Sequence, residues 1–182
     1  MNTERWEIDS SHSSIHFSVR HLVIAKVRGQ FSRWTGTVTV PDGDFARGSL
    51  DVVIDAASID TGVADRDAHL RSADFFDVER FPEITFKADD VTRAASDRLR
   101  LEGALTIKGV TRDVVLDVES LGTAKDPWGN KRAAFSATAA VDRKAFGLTW
   151  NQVLETGGVM VGDRIDITID IEAVRQPATK VA

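Results

Sequence analysis

Four isoleucines, Ile165, Ile167, Ile169 and Ile171, take every second position near the end of the chain, with Asp166, Thr168, Asp170 and Glu172 between them. Successive side chains of a β-strand point to opposite faces, so this segment has one oily face and one wet face. The pattern returns along the chain. Ile15, Phe17 and Val19 are spaced by His16 and Ser18; Leu50, Val52 and Ile54 stand against Asp51 and Asp55, with Val53 breaking the wet face. Leu99, Leu101, Leu105 and Ile107 face Arg98, Arg100, Glu102, Thr106 and Lys108; Val114, Leu116 and Val118 face Asp113, Asp117 and Glu119. These runs predict an antiparallel sheet with a single apolar side, and the way that side is hidden decides what the chain can do.

Strands are expected at about 5–10, 13–22, 26–40, 48–56, 83–94, 97–108, 110–122, 131–142 and 163–174. The long 26–40 segment should bend or bulge near Gly29 or Gly36. Lys108-Gly109 reads as a hairpin turn, and Pro41-Asp42-Gly43-Asp44 and Asp126-Pro127-Trp128-Gly129-Asn130 as further turns. The rhythm breaks between Ser58 and Pro82. There Thr61 is placed to cap a helix, Asp65 sits in its first turn, and Asp67 and Arg71 have a helical ion-pair spacing. One short helix is expected at about 63–72, then a turn carrying Phe75 and Phe76 that plugs one end of the sheet. About eight consecutive strands with one apolar face close into an up-and-down barrel or fold into a sandwich; closure also removes edge strands. The length fits one domain over 1–182, with a core at about 5–175 and a short loose tail at 176–182.

Composition narrows the function classes. The formal charge of −5 argues weakly against nucleic acid or an anionic membrane surface as the main partner. The absence of cysteine excludes disulfides, thiol catalysis and thiolate metal sites. The N-terminus, Met-Asn-Thr-Glu-Arg-Trp, has no apolar core and does not read as a signal peptide, so the chain as given is expected in the cytoplasm; a processed exported form would look the same. No apolar stretch approaches a membrane span.

An eight-stranded barrel is about wide enough to hold one small ligand or to be filled by its own side chains. By strand parity, Phe17, Val19, Phe31, Leu50, Val52, Phe86, Leu105, Phe135, Ala137, Ala139, Ile167 and Ile169 point inward. Phe75, Phe76, Trp150 and Leu154 join them from the plug and from the 148–162 stretch. The run Ala133-Ala134-Phe135-Ser136-Ala137-Thr138-Ala139-Ala140 is small on both faces, leaving volume that a ligand or neighbouring aromatics must fill. His21 shares the parity of Phe17 and Val19 and could meet a ligand head group at the barrel mouth. His12 and His16 lie about 13 Å apart on a strand, too far for one metal, and are expected on the wet face. Arg66-Asp67-Ala68-His69 offers no recognisable nucleophile and reads as an anchor of the helix to the barrel, as Arg143 does at a strand end. No catalytic or metal-ligating set is assigned. Leu148 to Gly162, with Gly157-Gly158 as a hinge, is either a flap over the mouth or an ordinary loop around a buried Trp150.

Motifs spread from about Trp6 to Ala173 carry a resemblance. They are Asp9-Ser10-Ser11-His12-Ser13 leading to Phe17-Ser18-Val19-Arg20-His21; Gly29 with Phe31; Arg66-Asp67-Ala68-His69-Leu70; Asp74-Phe75-Phe76-Asp77; Phe81-Pro82-Glu83-Ile84-Thr85-Phe86; Gly103-Ala104-Leu105-Thr106-Ile107-Lys108-Gly109; Asp142-Arg143 with Phe146-Gly147; and Gly162-Asp163. Singly they are unspecific; in this order and spacing they resemble the YceI-like, polyisoprenoid-binding family. The resemblance implies an extended lipocalin-like antiparallel barrel whose apolar lumen holds a long isoprenoid chain. It also implies a homodimer, and many such proteins are periplasmic. The expected function is non-catalytic binding of a polyprenyl chain or isoprenoid quinone precursor, with no resident cofactor and no nucleic-acid partner. Two alternatives stand beside it: an enzyme acting on a lipid or quinone, and a barrel packed solid without ligand.

Overall fold

The computed structural model describes residues 2–178. Its elements are β1 (Thr3–Ile8), β2 (Ser14–His21), β3 (Ala25–Phe31), β4 (Trp34–Pro41), β5 (Ser49–Asp55), β6 (Ile59–Asp60), α1 (Ala64–Arg71), β7 (Glu83–Arg93), β8 (Arg98–Ile107), β9 (Val110–Lys125), β10 (Lys131–Asp142) and β11 (Val161–Arg175). All strands belong to one antiparallel sheet. The order β1-β4-β5-β7-β8-β9-β10-β11 closes on itself because β11 also pairs with β1. The result is an eight-stranded closed barrel with a single helix.

Strand β11 has two partners. Ala173, Val174 and Arg175 pair with Ile8, Glu7 and Trp6 of β1, whereas the stretch from Val161 to Asp170 pairs with β2. The β2–β3 hairpin, with the two-residue β6 on its far edge, therefore replaces β1 beside β11 over that stretch. The two ends of the barrel are thus built differently. The β1 end is filled by Trp6, Val40, Ala133 and Ala173, each at most 1 % exposed. Phe45 bridges this cluster to the lumen, with ring centroids 5.2 Å from Trp6 and 5.1 Å from Phe135. The other end carries α1, the Phe75-Phe76 turn, the 147–160 segment and the tip of the β2–β3 hairpin.

The expected 26–40 strand is two strands. The ladder breaks at Ser32-Arg33, where the Ser32 N–H donates to Ser58 O and the Arg33 N–H to Ser58 Oγ. The chain changes partners here, from β2 to β1 and β5, and that exchange sets the break. Gly29 and Gly36 lie inside β3 and β4 for a different reason. A Cβ on Gly29 would stand 2.4 Å from Phe17 Cζ, and one on Gly36 2.4 Å from Ile8 Cδ1; each glycine makes room for an inward side chain of the neighbouring strand.

Helix α1 forms close to the expected place, but Thr61 does not cap it. Val63 holds the N-cap position without a side-chain hydrogen bond. Thr61 instead donates its N–H and its hydroxyl to the buried Asp67 carboxylate and accepts from Arg66 Nε. Arg71 does not pair with Asp67; it donates to the carbonyls of Ala57 and Ile59. Orphan carbonyls at the β5–β6 corner thus hold the guanidinium, and α1 is tied to the barrel rather than braced along its own face. Gln176, the first residue of the expected tail, still donates its N–H to Arg5 O; the tail from Thr179 onward lies outside the described residues.

Candidate functional site: an apolar lumen

The barrel encloses a cavity of about 290 Å³, at the lower end of the roughly 300–1,000 Å³ usual for ligand sites. Every barrel strand contributes apolar side chains to its wall, β1 through Ile8 alone. Of the residues read as inward, Phe17, Val19, Phe31, Leu50, Val52, Phe75, Phe76, Phe86, Leu105, Phe135, Ala137, Ile167 and Ile169 stand in that wall. Aromatic rings continue from the wall into the cap: Phe17 to Phe31 at 5.7 Å, then Phe31 edge-on to Phe76 at 5.9 Å.

Four expected residues stand elsewhere. Ala139 is half-buried and packs on the surrounding core without reaching the cavity. Trp150 belongs to the cap, 4.7 Å from the His69 ring and 5.4 Å from Phe75. Leu154 is held in a small turn, its N–H on Gly158 O, beside the Val153–Val159 bridge. His21 ends β2 opposite Val161 and Ala25 and does not border the cavity. Parity places side chains well inside a ladder, but His21 lies at its last rung, and Trp150 and Leu154 lie outside any strand. His16 is exposed, as expected of the wet face, yet borders the cavity edge.

The wall also holds residues that parity did not single out. Phe45 and Phe146 lie in short 3-10 turns that follow strands, each opened by an aspartate: the Asp44 carboxylate accepts the Ala46 N–H, and the Asp142 carboxylate accepts the Lys144 N–H. Asp9 and Asp55 open two more such turns in the same way. An aspartate closing an alternating run was the available signal.

Arg143 is the charged group of greatest interest in the wall, 4 % exposed. Its guanidinium donates to the carbonyls of Leu148 (2.7 Å), Trp150 (2.9 Å), Gly162 (2.8 Å) and Val161 (3.3 Å). Burial pushes its pKa down, opposed by Asp163 and Asp142. An arginine stays protonated under such a pull. It therefore staples both ends of the 147–160 segment, the anchor role expected of it, and its donors are spent on the protein. Among the described residues no buried side-chain nitrogen or oxygen lacks a hydrogen-bond partner.

The strongly perturbed carboxylates lie away from the lumen, at the β1 end. Arg132 donates to Asp126, Asp9 and Glu172. Hydrogen bonds from Ser11, His12 and Arg132 hold Asp9 far below the usual carboxylate range. Burial alone would raise Asp126, but donors from Asn130, Arg132 and two backbone N–H groups hold it down to about 2. Asp9, His12 and Glu172 also offer ligand atoms within 4.8 Å of one another; the cation among them is the Arg132 guanidinium, bound to both carboxylates.

This architecture recurs in known proteins. The chain is 33% identical over 177 residues to a UPF0312 protein of Vibrio cholerae, covering 96% of this chain and 89% of that one. It is 37% identical over 165 residues to a UPF0312 protein of Staphylococcus aureus, covering 90% and 94%. A Campylobacter jejuni YceI protein superposes with a TM-score of 0.75 at 31% identity, covering 87% of this chain and 90% of that one. A polyisoprenoid-binding domain of Saccharophagus degradans shares the fold with a TM-score of 0.68 at 15% identity, covering 94% and 98%. The YceI-like domain model matches residues 6–173, almost the whole of the barrel, and the chain belongs to the YceI-like family.

Proposed function

We propose that this barrel binds a long apolar lipid of the polyisoprenoid class in its lumen and does not transform it. One observation carries the proposal: the cavity wall is apolar except at its edges, and the one buried charge in it has its donors committed to backbone carbonyls. Such a wall recognises hydrocarbon. Each buried CH₂ contributes about 0.8 kcal/mol, so one isoprene unit supplies a few kcal/mol before ordering costs. The Saccharophagus domain of the same fold, described as polyisoprenoid-binding, supports the ligand class. Chemistry on the lipid would need titratable groups converging in the lumen; His21 stands outside it, and His69 on α1 is hydrogen-bonded to Asp74 at 2.8 Å. A polyprenyl chain or an isoprenoid quinone precursor fits this reading, with a homodimer as the assembly to check by sedimentation velocity.

The test is Ala137→Phe, which places a ring in the lumen. Lipid capacity in a polyprenol titration should fall more than stability does. A solid barrel gives the opposite: overpacking costs about 1–3 kcal/mol of stability, and the wild type takes up no lipid.

A further inference from the structure

Between Asp9 and Asp42 the chain has no acidic residue, although acids outnumber bases 28 to 23 overall. That acid-free stretch contains the β2–β3 hairpin. Arg20 and Lys26 stand directly opposite each other across it, with Arg28 two residues further along β3. All three are exposed, and none makes an ion pair among the described residues. Like charges facing each other across a ladder cost stability, and no carboxylate among the described residues pairs with either of them.

The tip that this basic hairpin presents is apolar. Leu22, Val23 and Ile24 are 39%, 62% and 88% exposed. Leu22 and Val23 both adopt left-handed backbone, with φ of 53° and 66°. A β-branched residue is a poor choice there; Asn and Gly adopt this conformation at least cost. The local sequence is thus unfavourable both for the turn and for water. The patch extends onto the neighbouring segment. The Leu22 N–H donates to Met160 O, and the exposed Val153 and Val159 bridge one another beside it. The 151–160 segment carries a single acid, Glu155. The patch lies at the end of the barrel where the cavity wall runs out through Val19 and Val161.

An apolar tip with cations set behind it is the arrangement that seats in a lipid interface, apolar side chains in the acyl boundary and basic side chains at anionic head groups. We propose that the Leu22–Ile24 tip, flanked by Arg20, Lys26 and Arg28, docks this protein on an anionic lipid surface and sets the α1 end of the lumen against it. Whole-chain charge hides this, because the hairpin itself carries no acid while β11 beside it carries Asp163 and Asp166. Docking supplies a loading route for the lipid-binding reading above, but it stands or falls separately from cavity occupancy.

Flotation with phosphatidylcholine vesicles, with and without one-third phosphatidylglycerol, tests it. The wild type should float with the anionic vesicles and be released by salt. Each basic side chain near an anionic surface changes partition about fivefold, so Arg20→Gln with Lys26→Gln should lower it about twenty-fivefold. Leu22→Asn with Val23→Gly should abolish docking while leaving the melting temperature unchanged or higher, because it relieves the left-handed turn. Ala137→Phe should dock as the wild type does. Equal flotation with both vesicles, or a tip variant that docks normally, overturns the proposal. So does loss of docking in Ala137→Phe, which would mean capture through the lumen. A wild-type dimer that the tip variant turns into monomers, with no vesicle binding by either, would make the tip a contact between two copies and overturn it equally.

Discussion

The two ends of this barrel solve opposite problems with the same strands. At the β1 end Trp6 and Ala173 are fully buried, and Arg132 ties the β9–β10 turn, β11 and the residues after β1 through three carboxylates. At the α1 end the tie is Arg143, whose donors go to backbone carbonyls at Leu148 and Trp150 and at the start of β11, and Leu22, Val23, Ile24 and Val153 are left in solvent. Side-chain ion pairs with specific partners and close packing fix one end. A short helix and a stapled segment merely cover the other. On the proposed lipid-binding reading, this asymmetry would serve the lumen as a fixed floor and a cover able to open without unfolding the barrel.

Trp6→Ala breaks the floor and should be the largest effect, about 3–5 kcal/mol lost in urea unfolding, as for a large aromatic removed from a packed core. A loss comparable to that of an exposed tryptophan such as Trp128, 81 % exposed, would show that the β1 end is not the fixed end.

Arg132→Met comes next, with a smaller loss, because Asp126 is left without its charged donor. Its pH dependence sharpens the point. The Asp126 pKa in the folded state, about 2, lies below the usual carboxylate value of 3.8. Its stabilising contribution is therefore fully present above pH 4 and is lost as pH falls through the folded value. Acid titration of the wild type should show a steep loss of stability between pH 4 and pH 2 that is shallower in Arg132→Met; identical profiles would remove Arg132 as the tie.

The cover should respond differently. Trp150→Ala loses one edge-on contact with His69 and a tilted one with Phe75, about 0.5–1.5 kcal/mol for each such pair beyond the area uncovered, and less in all than Trp6→Ala because Trp150 is only half-buried. Lipid dissociation should nonetheless accelerate severalfold in a fluorescent-lipid displacement assay. A variant with unchanged dissociation would mean that the lipid passes elsewhere.

Much of this was legible in the chain. Period-two alternation located the barrel strands and the inward face, because a half-buried strand leaves little choice of register. Its failures share a cause. The 26–40 segment alternates throughout, and only the exchange of partners at Ser32-Arg33, a long-range fact, divides it. Thr61 and Arg71 carry good local helix signals, yet tertiary hydrogen bonds to Asp67 and to the β5–β6 carbonyls outbid them. Trp150, Leu154 and His21 lie where no ladder fixes a side-chain direction. Net charge has the same limit: a value of −5 says nothing of where along the chain the acids stand.

Occupancy of the lumen is tested most directly by native mass spectrometry after incubation with a long-chain polyprenol. A single non-covalent adduct of unchanged polyprenol mass should appear on the wild type and be strongly reduced on Ala137→Phe. A wild-type protein that stays free of adduct in excess lipid, or releases a polyprenol of altered mass, would contradict a lumen that binds its lipid intact.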